Sequence, residues 1–322
     1  MPLISKDTKG VFVISATPFD EVGNLDIDSV ETMVNFYLDK GVDGLTILGM
    51  MGEQQKLTEN ESIIFVKEVL KHIKNKPCMV GISVNGYYNI SELSKKVMDL
   101  GASGIMIAPP SNLRTDKQII SYYQNIGEMV DDIPIVLQDY PLGTGVSISP
   151  ETILQIFELV SNIKILKHED WPGLDKISYL RDAEISSKQK MSILCGNGGM
   201  YFTEELERGA DGSMTGFAFP EMLVCVNKLF KQNKKKLARK IFNAYLPYAR
   251  YEFQPSLGMS VRKYTLAKRG AIKCSKVRKP SIELNQFTIH EIENLISEQE
   301  VEIQNLKELF NTESSRDLKS TP

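Results

Sequence analysis

Short runs of apolar, mostly β-branched residues recur along the chain at 11–15, 44–48, 79–82, 104–108, 133–137, 163–166, 192–195 and 212–215. They follow one another at intervals of roughly 20 to 34 residues, and each has the length of a strand. Most of the intervals carry apolar positions at helical spacing instead. The clearest opens at Thr58-Glu59-Asn60-Glu61, a capping box, and continues with Ile63, Ile64, Val66, Val69, Leu70 and Ile73 on one face. Asn89 with Glu92, and Ser149 with Thr152 around Pro150, predict further helix starts. Gly41, Gly101 and Gly209 stand where helices should close, a few residues before the next strand. Eight strand signals alternating with helices predict an α/β fold of the (β/α)8 TIM-barrel type. An open, doubly wound sheet is the main rival, but no G-x-G-x-x-G follows the first strand. After about Gln232 the strand signals stop, and helical patterns continue around 234–248, 256–268 and 288–309. The expected organisation is a barrel over 1–232 carrying the active site, a C-terminal helical region over 233–310, and a polar, disordered tail over 311–322.

Composition narrows the function classes. The chain has 322 residues, 42% hydrophobic and 25% charged, which is ordinary for a globular protein with ample core. A formal net charge of -3 gives no reason to expect nucleic acid or an anionic membrane as partner. The basic run at 231–236 reads as a solvated helix start. The first residues lack the apolar core of a signal peptide and no run approaches a membrane span, so a soluble cytoplasmic protein is expected. Cys78, Cys195, Cys225 and Cys274 are scattered without C-x-x-C spacing, which predicts reduced, packed thiols rather than a metal site or a disulfide framework. No cofactor or metal is expected.

One residue carries the chemistry. Lys167 ends the apolar run Ile163-Lys164-Ile165-Leu166, and alternation sends Ile165 and Lys167 to one face, Leu166 and His168 to the other. An amine in the same interior as an isoleucine is costly unless it is used. Desolvation and nearby cations lower an amine's pKa, and a neutral amine attacks a ketone to give a Schiff base. The structural alternative is a lysine that reaches the rim or pairs with Glu169. In a barrel of this type reactive groups sit where strands end. The other strand ends supply Thr17 and Pro18, the turn Gly49-Met50-Met51-Gly52-Glu53, Pro109-Pro110, Gln138-Asp139, Gly196-Asn197-Gly198-Gly199 and Thr215-Gly216.

Ala16-Thr17-Pro18-Phe19, the Gly49-x-x-Gly52-Glu53 turn with Leu57-Thr58-x-x-Glu61, Lys167, Gly196 and Gly209-Ala210-x-Gly212 occur here in the order and spacing of a known family. The chain resembles the dihydrodipicolinate synthase and N-acetylneuraminate lyase family over nearly its whole length. The resemblance implies a (β/α)8 barrel with C-terminal helices, a homo-oligomer (tetramer or dimer), and a lysine, Lys167, that forms a Schiff base with pyruvate or another 2-keto acid. The chain departs from the pattern at several positions. Met50 and Met51 stand where the synthases have two threonines, Gln138 where a tyrosine ends strand five, and Ser111 where a second tyrosine follows strand four. The run Pro141-Leu142-Gly143-Thr144-Gly145 lacks the arginine a synthase uses for the semialdehyde carboxylate. Gly52-Glu53-Gln54, Gln138-Asp139-x-Pro141 and Tyr251-Glu252-x-Gln254 look closer to the 2-keto-3-deoxy-L-arabonate dehydratases of the same family.

The leading expectation is therefore a Schiff-base lyase that removes water from a 2-keto-3-deoxy sugar acid. A pyruvate-releasing aldolase, the 4-hydroxy-tetrahydrodipicolinate synthase itself, and a keto-acid-binding protein without turnover are the alternatives. Lys167 is the expected nucleophile, Glu53 an acid, base or orienting group, and Gln138 a group that places water or a substrate hydroxyl. Thr17, Met50, Met51, Ser111, Met214 and Thr215 are expected substrate contacts. Glu53 also suits a helix cap or a tether for the turn, and Met50 and Met51 suit plain pocket walls. His168 and Asp139 should face outward, into the helical layer.

Overall fold

The computed structural model describes residues 1–82, 84–187 and 190–317. Eight parallel strands close into a barrel in sequence order, β1 next to β8. They are β1 (Gly10–Ile14), β2 (Gly44–Ile47), β3 (Cys78–Gly81), β4 (Gly104–Ile107), β5 (Ile135–Asp139), β6 (Ile163–His168), β7 (Ser192–Cys195) and β8 (Gly212–Thr215). The helices are α1 (Asp28–Asp39), α2 (Glu59–His72), α3 (Tyr87–Asp99), α4 (Asp116–Met129), the single turn α5 (Pro141–Thr144), α6 (Pro150–Leu159), α7 (Leu174–Ser187), α8 (Phe202–Glu207), α9 (Pro220–Lys231), α10 (Lys235–Glu252), α11 (Gly258–Lys268) and α12 (Gln286–Asp317). The chain is thus the expected TIM barrel, with helices beyond it. Of the expected tail, 311–317 continue α12, and 318–322 lie outside the described residues.

Local signals account for most of the boundaries. At α2 the Thr58 hydroxyl accepts from the Glu61 N–H (3.2 Å) while the Glu61 carboxylate accepts from the Thr58 N–H (2.9 Å). Ser149 caps α6 by accepting from the Thr152 N–H at 3.1 Å. Asn89 does not open α3. That helix begins two residues earlier, after Gly86 at φ +85°, and the Asn89 amide donates back to the Asn85 carbonyl at 2.9 Å. Strand five also sits later than its apolar run, because Pro134 has no N–H to give a ladder.

Two cores result. The outer one lies between sheet and helices; the inner one fills the barrel with Phe12, Ile14, Met79, Met106, Val136, Ile165, Leu194 and Met214, closed from the N-terminal side by Ile4. Ile4 fits because Gly104 opposes it: a Cβ there would lie 2.7 Å from its Cδ1. The filled barrel leaves only its C-terminal mouth open to chemistry.

Candidate active site

Register sets the first two residues. Gln138 of β5 pairs with Lys167 of β6, so both side chains emerge at one level of the mouth, directly above Ile165 in the inner core. The neighbouring positions turn outward. Asp139 Oδ2 lies 2.9 Å from Lys176 Nζ and 3.6 Å from His168 Nδ1, while the His168 Nε2 meets the Gly173 carbonyl at 3.1 Å. Lys176, on α7, also donates to the Ile148 carbonyl (2.7 Å) and pairs with Asp170 (2.6 Å). These bonds clamp the loop that follows β6.

That loop brings in a residue absent from the sequence reading of the site. Beyond β6 the ladder continues for one more bond, from the Glu169 N–H to the Asp139 carbonyl at 2.9 Å. The Glu169 side chain thereby returns to the side of Lys167. Its Oε2 stands 2.7 Å from Lys167 Nζ and accepts from Gln138 Nε2 at 2.7 Å. Lys167 and Glu169 are only 4% and 7% exposed, so the ion pair is held away from bulk water. Gly196 makes the space: a Cβ at that position would lie 2.2 Å from Glu169 Cγ. The near neighbours of the amine are thus a carboxylate and, bound to it, an amide. The signal was in the sequence, because Glu169 follows Lys167 by the two residues that alternation requires; it was read as a possible structural partner.

A phenol reaches the site as well. Tyr140, just past β5, lines the same cavity, and burial with the nearby Glu169 charge raises its pKa. Its ring occupies the place a side chain at 143 would take, since a Cβ on Gly143 would fall 2.2 Å from Tyr140 Cε1.

The cavity measures about 710 Å³ and joins Lys167, Glu169, Gln138 and Tyr140 to Met50, Met51 and Thr215. It is large enough for a small organic acid. Its far wall comes from beyond the barrel, from Phe253 and Gln254 after α10, Arg262 of α11 and Ile282. Arg262 Nε pairs with Glu252 Oε1 at 2.5 Å, and Arg262 Nη1 and Asn197 Oδ1 are buried without a hydrogen-bond partner among the described residues. Among the described residues no group of three or more His, Cys, Asp or Glu is arranged to hold a metal ion. No helix there is long and apolar enough to cross a membrane. The four cysteines are free, two of them buried.

The remaining sequence candidates are spread differently. Glu53 borders the cavity, but its carboxylate is fully engaged: Oε1 with Lys263 Nζ (3.0 Å), Oε2 with Lys56 Nζ (3.0 Å) and with the Arg278 N–H (3.0 Å). It holds φ +56° between two single turns, 50–52 and 54–56, which is the geometry of a tether. Thr17 donates to the Gly52 carbonyl at 2.6 Å and belongs to this tether, not to the cavity lining. Thr215 lines the cavity, and its hydroxyl accepts from the Gly198 N–H at 2.9 Å. Met214 is fully buried in the inner core and does not line the cavity. Ser111 is exposed in a turn after β4 and takes no part in the lining. The structure therefore brings Lys167, Gln138, Met50, Met51, Glu53 and Thr215 to one cavity and leaves Thr17, Ser111 and Met214 outside it.

Comparison with known proteins yields one family. The model of the Dihydrodipicolinate synthetase family matches residues 7–299. The L-2-keto-3-deoxyarabonate dehydratase of Azospirillum brasilense is 26% identical over 289 residues, 88% of this chain and 92% of that protein. The 4-hydroxy-tetrahydrodipicolinate synthase of Thermotoga sp. (strain RQ2) is 28% identical over 295 residues, 90% of this chain and 98% of that protein. The crystal structure of a dihydrodipicolinate synthase from Rhodopseudomonas palustris aligns with a TM-score of 0.91 at 43% identity, over 92% of this chain and 100% of that one.

Proposed function

Since the chain belongs to the dihydrodipicolinate synthetase family, whose members are class I aldolases and lyases, we propose that Lys167 condenses with a 2-keto acid and that the reaction is loss of water from a 2-keto-3-deoxy sugar acid. The observation that carries the proposal is Lys167 Nζ on the wall of a cavity of about 710 Å³, 2.7 Å from a carboxylate able to take its proton. The amine attacks the keto carbon, water leaves, and the iminium withdraws electrons from the adjacent carbon. The C–H bond at that carbon then becomes acidic, and a hydroxyl one carbon further on can depart. Gln138 accepts and donates without titrating, which suits holding a substrate hydroxyl or water. The methionines of the glycine turn are apolar walls, and the N–H groups of Met50 and Met51 are the turn's donors for a keto-acid carboxylate, since those of Gly52 and Glu53 bond within the turn.

Dehydration is favoured over synthase chemistry because 141–145 offers no arginine. The synthase reading keeps one point in its favour, the synthase names of relatives at 28% and 43% identity. A dimer or tetramer belongs to the same proposal, and light scattering tests it. The chemistry is tested by borohydride reduction in the presence of pyruvate or 2-keto-3-deoxy-L-arabonate. We expect added mass on the peptide containing Lys167; an unmodified lysine removes the proposal. Product analysis separates the reactions: a dehydrated keto acid, released pyruvate or a cyclic heterocycle each identify one.

A further inference from the structure

We infer that Arg262, on α11, reads a hydroxyl at the end of the substrate remote from the keto group. The inference rests on the Schiff-base reading of Lys167 and names what the far wall of the cavity selects. Arg262 is 2% exposed, and its Nε donates to Glu252 Oε1 at 2.5 Å. The other Glu252 oxygen accepts from the Ala218 N–H at 3.0 Å. Arg262 Nη1 is left buried with no hydrogen-bond partner among the described residues. A buried donor in that condition costs free energy until an acceptor is brought to it. Its surroundings show from which side one can come. Gly216, just past β8, lines the cavity, and a Cβ at that position would collide with Nη1. The missing side chain is what lets the guanidinium reach the edge of the cavity.

A second orphan borders the same cavity from the neighbouring strand end. Asn197, just past β7, is 4% exposed and lines the cavity, and its Oδ1 also lacks a partner among the described residues. The turn that carries it is pinned beside β8 by the bond from the Gly198 N–H to the Thr215 hydroxyl at 2.9 Å. One orphan is a donor and the other an acceptor. A hydroxyl suits both, because it accepts on a lone pair and donates its own proton. A carboxylate brings acceptors alone, so it would satisfy Arg262 and press negative charge on the Asn197 carbonyl. The charge balance agrees: Glu252 already neutralises Arg262, so the pair offers polarity without net charge. In a five-carbon 2-keto-3-deoxy acid the C4 hydroxyl is the one that leaves as water. The C5 hydroxyl remains, and it is the group this wall fits.

Three keto acids of one length test the choice: 2-ketopentanoate, 5-hydroxy-2-ketopentanoate and 2-ketoglutarate end in a methyl, a hydroxyl and a carboxylate. For each, mass spectrometry reads the concentration that half-saturates borohydride labelling of Lys167 in the full-length protein. We expect the hydroxy acid to be captured at about 10–100-fold lower concentration than the methyl acid, and ahead of 2-ketoglutarate. Arg262→Lys keeps a cation beside Glu252 and removes Nη1, and it should shrink that advantage to about threefold or less. Asn197→Gly, which the φ of +50° at 197 tolerates, should reduce it in the same direction. A parent without preference for the hydroxyl overturns the inference, and so does one that captures 2-ketoglutarate best. Equal weakening of all three acids in Arg262→Lys, with their order kept, also overturns it, because it gives Arg262 to the fold or to the carboxylate the acids share. Should Arg262→Lys not fold, Asn197→Gly carries the test, and a full hydroxyl advantage in that variant refutes the paired subsite. Failure of the parent protein to be labelled by any of the three is a different result, because it removes the lysine proposal beneath.

Discussion

Two of the buried lysine–carboxylate pairs at the mouth of the barrel are built to opposite ends. Lys263 lies 3.0 Å from Glu53, donates to the Thr17 carbonyl at 2.8 Å and stands 4.3 Å from the centre of the Phe19 ring, while Glu53 is held by Lys56 and Arg278 too. Every valence is used, and the pair fastens α11 to the turn after β2. Lys167 lies 2.7 Å from Glu169, whose only further side-chain bond among the described residues comes from Gln138, and all three line a cavity. Burial pushes the Lys263 amine down to about 8, against the pull of Glu53. Saturated bonding marks the fastening here, and spare valence beside open space marks the proposed chemistry.

The largest test of this contrast is Lys167→Met. It should abolish borohydride labelling and lower turnover about 10⁴-fold or more, with the melting temperature close to the parent's. Lys263→Met should do the reverse. Leaving Glu53 buried and short of a partner costs about 3–5 kcal/mol in urea unfolding. Loss of turnover at unchanged stability in that variant would break the comparison.

Gly196→Ala works between the two. Its new methyl collides with Glu169 Cγ, so the carboxylate moves off Lys167 and kcat falls about 10–100-fold, with a stability cost of about 1–3 kcal/mol from overpacking. Unchanged kcat would mean that the position of Glu169 is immaterial.

The smallest effect is a pH dependence confined to the fastened side. The Arg278 guanidinium holds Glu61 well below its ordinary 4.5, at about 2. The folded pKa is the lower one, so the pair's stabilisation is complete above pH 4.5 and is lost as pH falls towards 2. With both side chains partly exposed, its size is about 1 kcal/mol. Unfolding curves for the parent and Glu61→Gln should converge in that window.

The strands, the capping box at Thr58 and the facing of Lys167, His168 and Asp139 could be read from the chain because they depend on neighbours two to four residues away. Glu169 escaped because its return to the amine needs the extra ladder bond to Asp139 and the absence of a side chain at Gly196. Tyr140 escaped because its ring reaches the cavity through the space left by the missing side chain of Gly143. Ser111 was aligned with a family position, yet its turn carries it out to solvent. Met214 illustrates the converse: expected as a substrate contact, it belongs to the apolar filling of the barrel and not to the cavity lining. Glu53 had two roles open, and the choice between them lay in Lys263, distant by 210 residues.

The far wall of the cavity is built from residues between 252 and 282, while the amine, its carboxylate and its amide come from β5, β6 and the turn after β6. Reactivity and outline are thus written on separate stretches of the gene product, with the turn after α9 as a natural seam. A chimaera joined there to a relative's last third would inherit new limits on guest length while keeping the same attacking nitrogen. One that could no longer capture pyruvate would reveal that the two halves had never been interchangeable.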